Sequence, residues 1–344
     1  MISAHFKETI SYQMLQSAIP EAEKKIISIL KVLSESSEPL GSITIARELE
    51  RHGVFMSERA VRYHLRITDE RGLTQPLGVD GRMITPKGLE ELRVALAPDQ
   101  IGFILERIEL LAFRTTFDPV KKTGQVAINT SLLDENKLNK AFRAMKEAVR
   151  ADICVSDLVA VGHAGDKLGD VVIPNGKVGI GTMCAATING VLLKTGIPIE
   201  SRFGGVLEIE NSKAKRFVAI IYYSGTSLDP SEQYIRAGMT SVGEAARTGR
   251  GRILANFREA PAASRLVIEE VVSNLREAGI GGVYQLGNTS EPVCQMAVGL
   301  NRVGMVLLGG LNPIAAAVEA GIDIESIAES GMVDYEQMTK LSEL

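Results

Sequence analysis

Ser57-Glu-Arg-Ala-Val-Arg-Tyr-His-Leu-Arg66 decides how the first part of this chain is read. Arg59, Arg62 and Arg66 stand at i, i+3 and i+7, so on a helix they share one face, with Tyr63 beside them. Ala60, Val61 and Leu65 lie around the other side and can pack inward. Ser57 sits where an N-cap belongs, its hydroxyl able to accept from an N–H that the first turn leaves unpaired. Upstream, Ser42-Ile-Thr-Ile-Ala-Arg-Glu-Leu-Glu-Arg-His-Gly53 predicts an amphipathic helix over 42–52 closed by glycine. A helix, a short turn and an arginine-faced helix over 57–70 is how a helix-turn-helix places a reading helix in the DNA major groove.

The flanks extend this module. Ile26, Ile27, Ile29, Leu30 and Leu33 recur at helical spacing and predict a first helix from Glu21 to Ser34. Asp80-Gly81, between two short strand-like runs, is a hairpin-turn dipeptide, and Arg82 adds a cation to it. Pro86-Lys87-Gly88 opens a helix over 87–96. Three helices and a hairpin make a winged helix-turn-helix over 21–97, preceded by an arm over 1–20 and followed by a second domain over 98–344. Ser57, Arg59, Arg62, Tyr63, Arg66 and Arg82 form the expected DNA-contacting set. Within 21–95, 12 Lys/Arg balance 12 Asp/Glu, and the whole 344-residue chain carries a formal charge of −4. Any DNA contact must therefore come from locally clustered charge.

From about residue 100 glycine becomes frequent, and short Val- and Ile-rich runs alternate with helical segments. Strands are predicted over 124–129, 158–161, 179–184, 206–209, 217–222 and 304–308, and helices over 134–149 and 264–278. The alternation predicts a mixed α/β domain. Gly181-Thr-Met-Cys-Ala-Ala-Thr-Ile-Asn189 aligns without gaps on Gly304-Met-Val-Leu-Leu-Gly-Gly-Leu-Asn312. Gly196-Ile197 then echoes Gly321-Ile322, and Glu200-Ser201 echoes Glu325-Ser326. An internal duplication facing itself across a pseudo-two-fold axis would produce these echoes; chance likeness of two glycine-rich buried strands is the alternative.

Cys154, Cys184 and Cys294 are far apart, no CxxC occurs, and the four histidines are scattered. Neither a zinc site nor a disulfide framework is expected. The chain lacks a secretory-type start and an apolar run of membrane length, so a cytoplasmic protein without a membrane partner is expected.

The glycine-dense stretches 161–166, 175–182, 201–205 and 249–253 suggest loops whose exposed N–H groups can hold a carboxylate or phosphate. None is a GxGxxG or P-loop, so no nucleotide cofactor is expected. Arg202, between Ser201 and a Gly-Gly pair, is the cation suited to grip a small carboxylate with two prongs. An effector pocket is therefore expected where Gly162, His163, Gly165, Thr182, Cys184, Ser201, Arg202, Gly204 and Gly205 converge. A Cys184 nucleophile with a His163 base is the enzymatic alternative, and a protein-interaction scaffold is a third reading. Arg247, Arg250 and Arg252 suit a domain or dimer contact or simple solvation more than a second DNA surface; Asn288 and Asn312 suit turns or pocket donors.

The run Gly181-Thr-Met-Cys-Ala-Ala-Thr-Ile-Asn-Gly-Val-Leu-Leu-Lys-Thr-Gly-Ile-Pro-Ile-Glu-Ser-Arg-Phe-Gly-Gly-Val-Leu-Glu-Ile-Glu210 and the later Ile221-Tyr-Tyr-Ser-Gly-Thr-Ser-Leu-Asp-Pro230 resemble the regulatory domain of NrpR-type nitrogen-assimilation repressors. The resemblance covers about residues 20–340. It implies a non-enzymatic repressor that binds a palindromic operator as a homodimer and is released by 2-oxoglutarate. Some members of that family carry two regulatory domains. This chain is expected to carry one, which leaves room for a separate regulator subunit as partner.

Overall fold

The computed structural model describes residues 21–36, 38–51, 53–96 and 103–344. The expected arm over 1–20, the end of the second helix at His52 and the domain junction at 97–102 lie outside the described residues. The chain divides into two compact units, 1–100 and 101–344.

The first unit is a winged helix: α1 (Glu21–Ser34), α2 (Ser42–Arg51), α3 (Glu58–Glu70), β1 (Thr74–Pro76), β2 (Arg82–Ile84) and α4 (Pro86–Leu96). Ile29, Val32 and Leu33 of α1, Ile45 and Leu49 of α2, and Val61 and Leu65 of α3 close its core. Ser57 caps α3 by accepting from the Ala60 N–H at 3.3 Å. In the antiparallel wing Thr74 pairs with Ile84 and Pro76 with Arg82. The wing turn is longer than the two-residue turn that Asp80-Gly81 suggests: a short 3₁₀ segment fills Gly78–Asp80, and Gly78 and Gly81 take positive φ of 63° and 113°. A side chain at Gly81 would strike the Leu40 carbonyl, because residue 40 bridges Arg82.

The second unit has helices α5 (Phe103–Arg114), α6 (Leu138–Arg150), α7 (Ala186–Lys194), α8 (Pro230–Arg236), α9 (Val242–Thr248), α10 (Arg265–Glu277) and α11 (Asn312–Glu319). Its strands are β3 (Gln125–Asp134), β4 (Leu158–Gly162), β5 (Lys167–Leu168), β6 (Val171–Val172), β7 (Lys177–Met183), β8 (Glu200–Glu210) and β9 (Lys213–Tyr222). Then follow β10 (Gly251–Pro261), β11 (Val283–Thr289), β12 (Arg302–Leu308), β13 (Glu325–Asp334) and β14 (Thr339–Lys340). Two five-stranded sheets run in the orders β11-β12-β10-β8-β9 and β13-β3-β7-β4-β14.

These orders reveal the duplication. Strand, 3₁₀ turn, helix, strand, strand, helix, strand occurs from β3 to β8, with the short β5–β6 hairpin inserted after β4, and again from β10 to β13. Each copy sends its last strand to the other copy's sheet: β8 pairs with β10, and β13 pairs with β3. One apolar core then joins both sheets and α6, α7, α10 and α11.

The true alignment slips by two residues from the one read in the sequence. Thr187, not Asn189, is the counterpart of Asn312. The Thr187 hydroxyl accepts from the Ala127 N–H and donates to the Ala127 carbonyl. The Asn312 side chain makes the same pair of bonds to Leu254, at 2.8 and 3.0 Å.

Some glycine-dense stretches expected as loops are strands. Ser201–Gly205 lies inside β8, and the strand predicted over 179–184 is present as β7, extended back to Lys177. Their glycines answer close packing. A Cβ on Gly205 would come 2.7 Å from the Ala219 carbonyl oxygen, and one on Gly179 would meet the Ile173 side chain at 2.3 Å.

Candidate functional site

The outward face of α3 is the first candidate. Arg59, Arg62, Tyr63 and Arg66 are all exposed. Arg62 is tied within the unit: it pairs with Glu58 and donates to the Ser42 hydroxyl. Among the described residues Arg59 and Arg66 make no ion pair, which leaves two guanidinium groups open to a groove. Arg82 is otherwise occupied. Its Nε donates to Asp69 at 2.9 Å, and Asp69 also accepts from Thr74, so Arg82 fastens the wing to α3. The wing segment 77–81 carries no cation.

The residues named for an effector pocket do not converge. Gly162 pairs with Gly179, while Cys184 follows the far end of the same strand. Five strand residues separate the two sites by about 16 Å. His163 is exposed near Glu135, with Nδ1 3.9 Å from its carboxylate. Gly165 lies in the connection from β4 to β5 at a φ of 90°. Thr182 is buried in β7, and Ser201 accepts from the Asn189 amide at 3.1 Å. Gly204 lets β8 pass Pro230 and the Tyr223 hydroxyl. Arg202 does not have a free fork: it pairs with Glu200, its Nε lies 3.9 Å from Glu259, and Arg302 bridges the same two acids.

Polar chemistry instead gathers where the two copies meet. The turns 184–186 and 310–311, which lead into α7 and α11, face one cavity together with Asn129 of β3, Asn256 and Arg258 of β10, Tyr223, Asp229 and Glu329. Asn129 and Asn256 are symmetry counterparts, paired across their sheets with Thr182 and Leu307. The charge breaks the symmetry: Arg258 stands where the first copy has Ser131, each paired two positions beyond its asparagine, with Met305 and Ile180.

Arg258 is 2% exposed, and its guanidinium lies 5.0 Å from the centre of the Tyr223 ring. The Tyr223 hydroxyl donates to Asn256 at 2.6 Å. Asn129 accepts from the Glu329 N–H at 3.1 Å, and Arg107 of α5 donates to the Glu329 carbonyl at 2.5 Å. This holds Glu329 at a positive φ of 46°, a costly conformation for a residue other than glycine. Burial raises the carboxyls of both acids, Asp229 to about 7 and Glu329 well above its usual range, and the Asp229 charge raises Glu329 further.

Arg258 Nε and Glu329 Oε2 are buried and have no partner. Buried polar atoms are normally satisfied, so two orphans of opposite charge in one cavity point to a missing ligand. The free space is about 20 Å³, roughly one water molecule. Ile108 of α5 lines it, so α5 covers this site. A larger cavity of about 580 Å³ lies beside Asp152, Asp157, Arg276 and Tyr284. Its Arg276 and Tyr284 already donate to carbonyls of Val283 and Ser212, and it leaves no orphaned group.

Residues 101–340 match the model of the NrpR regulatory domains NRD1 and 2. The chain belongs to the NrpR family. Residues 27–92 match the model of the ribonuclease R winged-helix domain. The chain is 39% identical over 94% of its length to the global nitrogen regulator NrpRI of Methanosarcina mazei, of which it covers 99%. It is 32% identical to the global nitrogen regulator NrpR of Methanococcus maripaludis, of which it spans 55%. A crystal structure of a nitrogen repressor-like protein from Methanococcus jannaschii superposes with a TM-score of 0.58 at 29% identity, covering 69% of this chain and 97% of that one.

NrpR proteins are regulators and not enzymes, and the geometry agrees. His163 and Cys184 sit at opposite ends of β7, and burial pushes the Cys184 thiol up, away from the thiolate a nucleophile needs. The sequence reading missed Arg258, Asp229 and Glu329 in this NrpR fold. One signal was present: Arg258-Glu259 interrupts the apolar run that begins at Ile253.

Proposed function

We propose that this chain is a transcriptional repressor of nitrogen-assimilation genes that binds a palindromic operator as a homodimer through α3 and is released by a small dicarboxylate, 2-oxoglutarate. The observation that carries the reading is the buried cavity between two helix N-termini, where the Arg258 Nε has no partner. A guanidinium and free N–H groups suit carboxylate recognition. The named relatives are nitrogen regulators, and 2-oxoglutarate is the effector that the family resemblance implies. The ligand must displace α5 to enter, and α5 is the first helix after the winged-helix unit in the chain. Ligand binding can thereby reach the spacing of two reading helices.

The test is operator binding by gel shift, with and without 2-oxoglutarate, on the full chain, with light scattering on the same samples. The expected mass is twice 37.1 kDa. An effector that favours the released form by ~2–3 kcal/mol lowers operator affinity roughly 30- to 150-fold. Operator affinity indifferent to millimolar 2-oxoglutarate, or a monomer on DNA, refutes the reading.

The reading helix has its own test. Arg59→Ala and Arg66→Ala should each weaken operator binding by ~1–3 kcal/mol if they read guanine. Arg62→Ala should cost less, because Glu58 and Ser42 already hold that guanidinium. Unchanged affinity in the Arg59 and Arg66 variants would remove α3 from the DNA interface.

A further inference from the structure

The cavity's charge imposes a condition on any dicarboxylate that enters it. The ionisable groups facing the site are Arg107 from α5, Arg258 from β10, Asp229 and Glu232 at the start of α8, and Glu329 from β13. Arg236 adds one cation 3.8 Å from Glu232. Cys184, Tyr223, Ser231, Asn129 and Asn256 complete the lining and are uncharged. With every group ionised, the three arginines balance the three acids. A dianion then brings two uncompensated charges into a narrow, buried space, which costs several kcal/mol per ion.

Resting on the reading above, we propose that a dicarboxylate binds at this cavity together with a proton, taken up by the Asp229–Glu329 pair, so that the ligand replaces these acids as the counter-ion of Arg258. The geometry suits the exchange. Glu329 Oε2 has no partner, so it can carry a proton and donate it to a ketone or carboxylate oxygen. Asp229 Oδ1 accepts from the Glu232 N–H at 2.9 Å, and this bond survives protonation of the other oxygen. Burial, with the Glu232 charge beside it, already brings Asp229 to about 7, so a nearby anion completes the protonation near neutral pH. The acid binds its proton more tightly in the complex than in the free protein. Affinity therefore falls as pH rises through the free-state value and is flat below it. An amino acid would behave in the opposite way, since its ammonium group prefers the ionised pair.

Isothermal titration of 2-oxoglutarate into the full wild-type chain at pH 8, in Tris and in HEPES, measures the proton directly. The expected heats differ between the buffers by the amount for about one proton taken up, and affinity falls up to tenfold per pH unit above pH 7. Asp229→Asn keeps the helix-capping oxygen and cannot titrate, so it should bind with a shallower pH slope and smaller uptake. Buffer-independent heats together with pH-independent affinity from 6 to 9 would overturn the inference while leaving the effector site standing. A full wild-type slope in Asp229→Asn would overturn it too. No binding of 2-oxoglutarate at any pH would overturn the effector reading itself, and this inference with it.

Discussion

Arg258→Gln is expected to lose the response to 2-oxoglutarate and keep operator affinity within about twofold, because the winged helix is a separate unit. Truncating one partner of a buried, hydrogen-bonded charge pair costs ~2–5 kcal/mol, or roughly 30- to 5,000-fold in ligand affinity. The substitution also strands two acids beside a vacated site, and an unpaired buried charge costs up to about 5 kcal/mol of stability. Asp229 and Glu329 can escape most of that cost by taking up protons, since both already lie above the ordinary carboxylate range. Arg258→Lys keeps the charge without the planar fork and should fall between the variant and the wild type. Titration calorimetry of all three proteins, with thermal unfolding as the check on folding, decides the matter. Arg202→Ala serves as the control. Its guanidinium is committed to Glu200 and Glu259, so ligand affinity should not change. Wild-type affinity in both Arg258 variants, with loss in Arg202→Ala, would move the site to the outer end of β8.

The second large effect is on stability. Asn312 is fully buried and holds three backbone groups: it donates to the carbonyls of Ile153 and Leu254 and accepts from the Leu254 N–H. Asn312→Ala leaves the Leu254 N–H and the Ile153 carbonyl without a partner, while the Leu254 carbonyl keeps the Gly309 N–H at 2.8 Å. At ~1–3 kcal/mol for each stranded buried group, the loss is about 2–6 kcal/mol. For a unit of this size that lowers the unfolding midpoint by roughly 5–20 °C. Thr187→Val at the counterpart position strands only the Ala127 N–H, since the Ala127 carbonyl keeps the Cys184 N–H, and should cost about half as much. A midpoint unchanged in Asn312→Ala would remove these paired bonds from the account of what holds the two copies together.

Much of the first unit was readable from local pattern. The apolar spacing in 21–34, the Ser57 cap and the arginine face of α3 are properties of short windows, and a helix forms its hydrogen bonds within such a window. The family resemblance and the duplication were legible in the second unit, down to the matched Gly-Ile and acidic-Ser pairs. The places of Gly204 and Gly205 were not. Both look like loop glycines in sequence, and each is demanded by an atom elsewhere: Pro230 and the Ala219 carbonyl. Strand pairing is non-local, so nothing inside 200–210 announces that β8 leaves its own copy to pair with β10. The site shares that origin. Arg258 alone is a charge out of place in an apolar run, and Glu329 alone is an ordinary acid. Only the exchange of last strands brings β10 and β13 to the same cavity, with Asp229 beside them and the turns before α7 and α11 facing them. Secondary structure followed from the order of the residues. The site followed from burial, which strips water from groups far apart in the chain and leaves them only one another, or a ligand, for company.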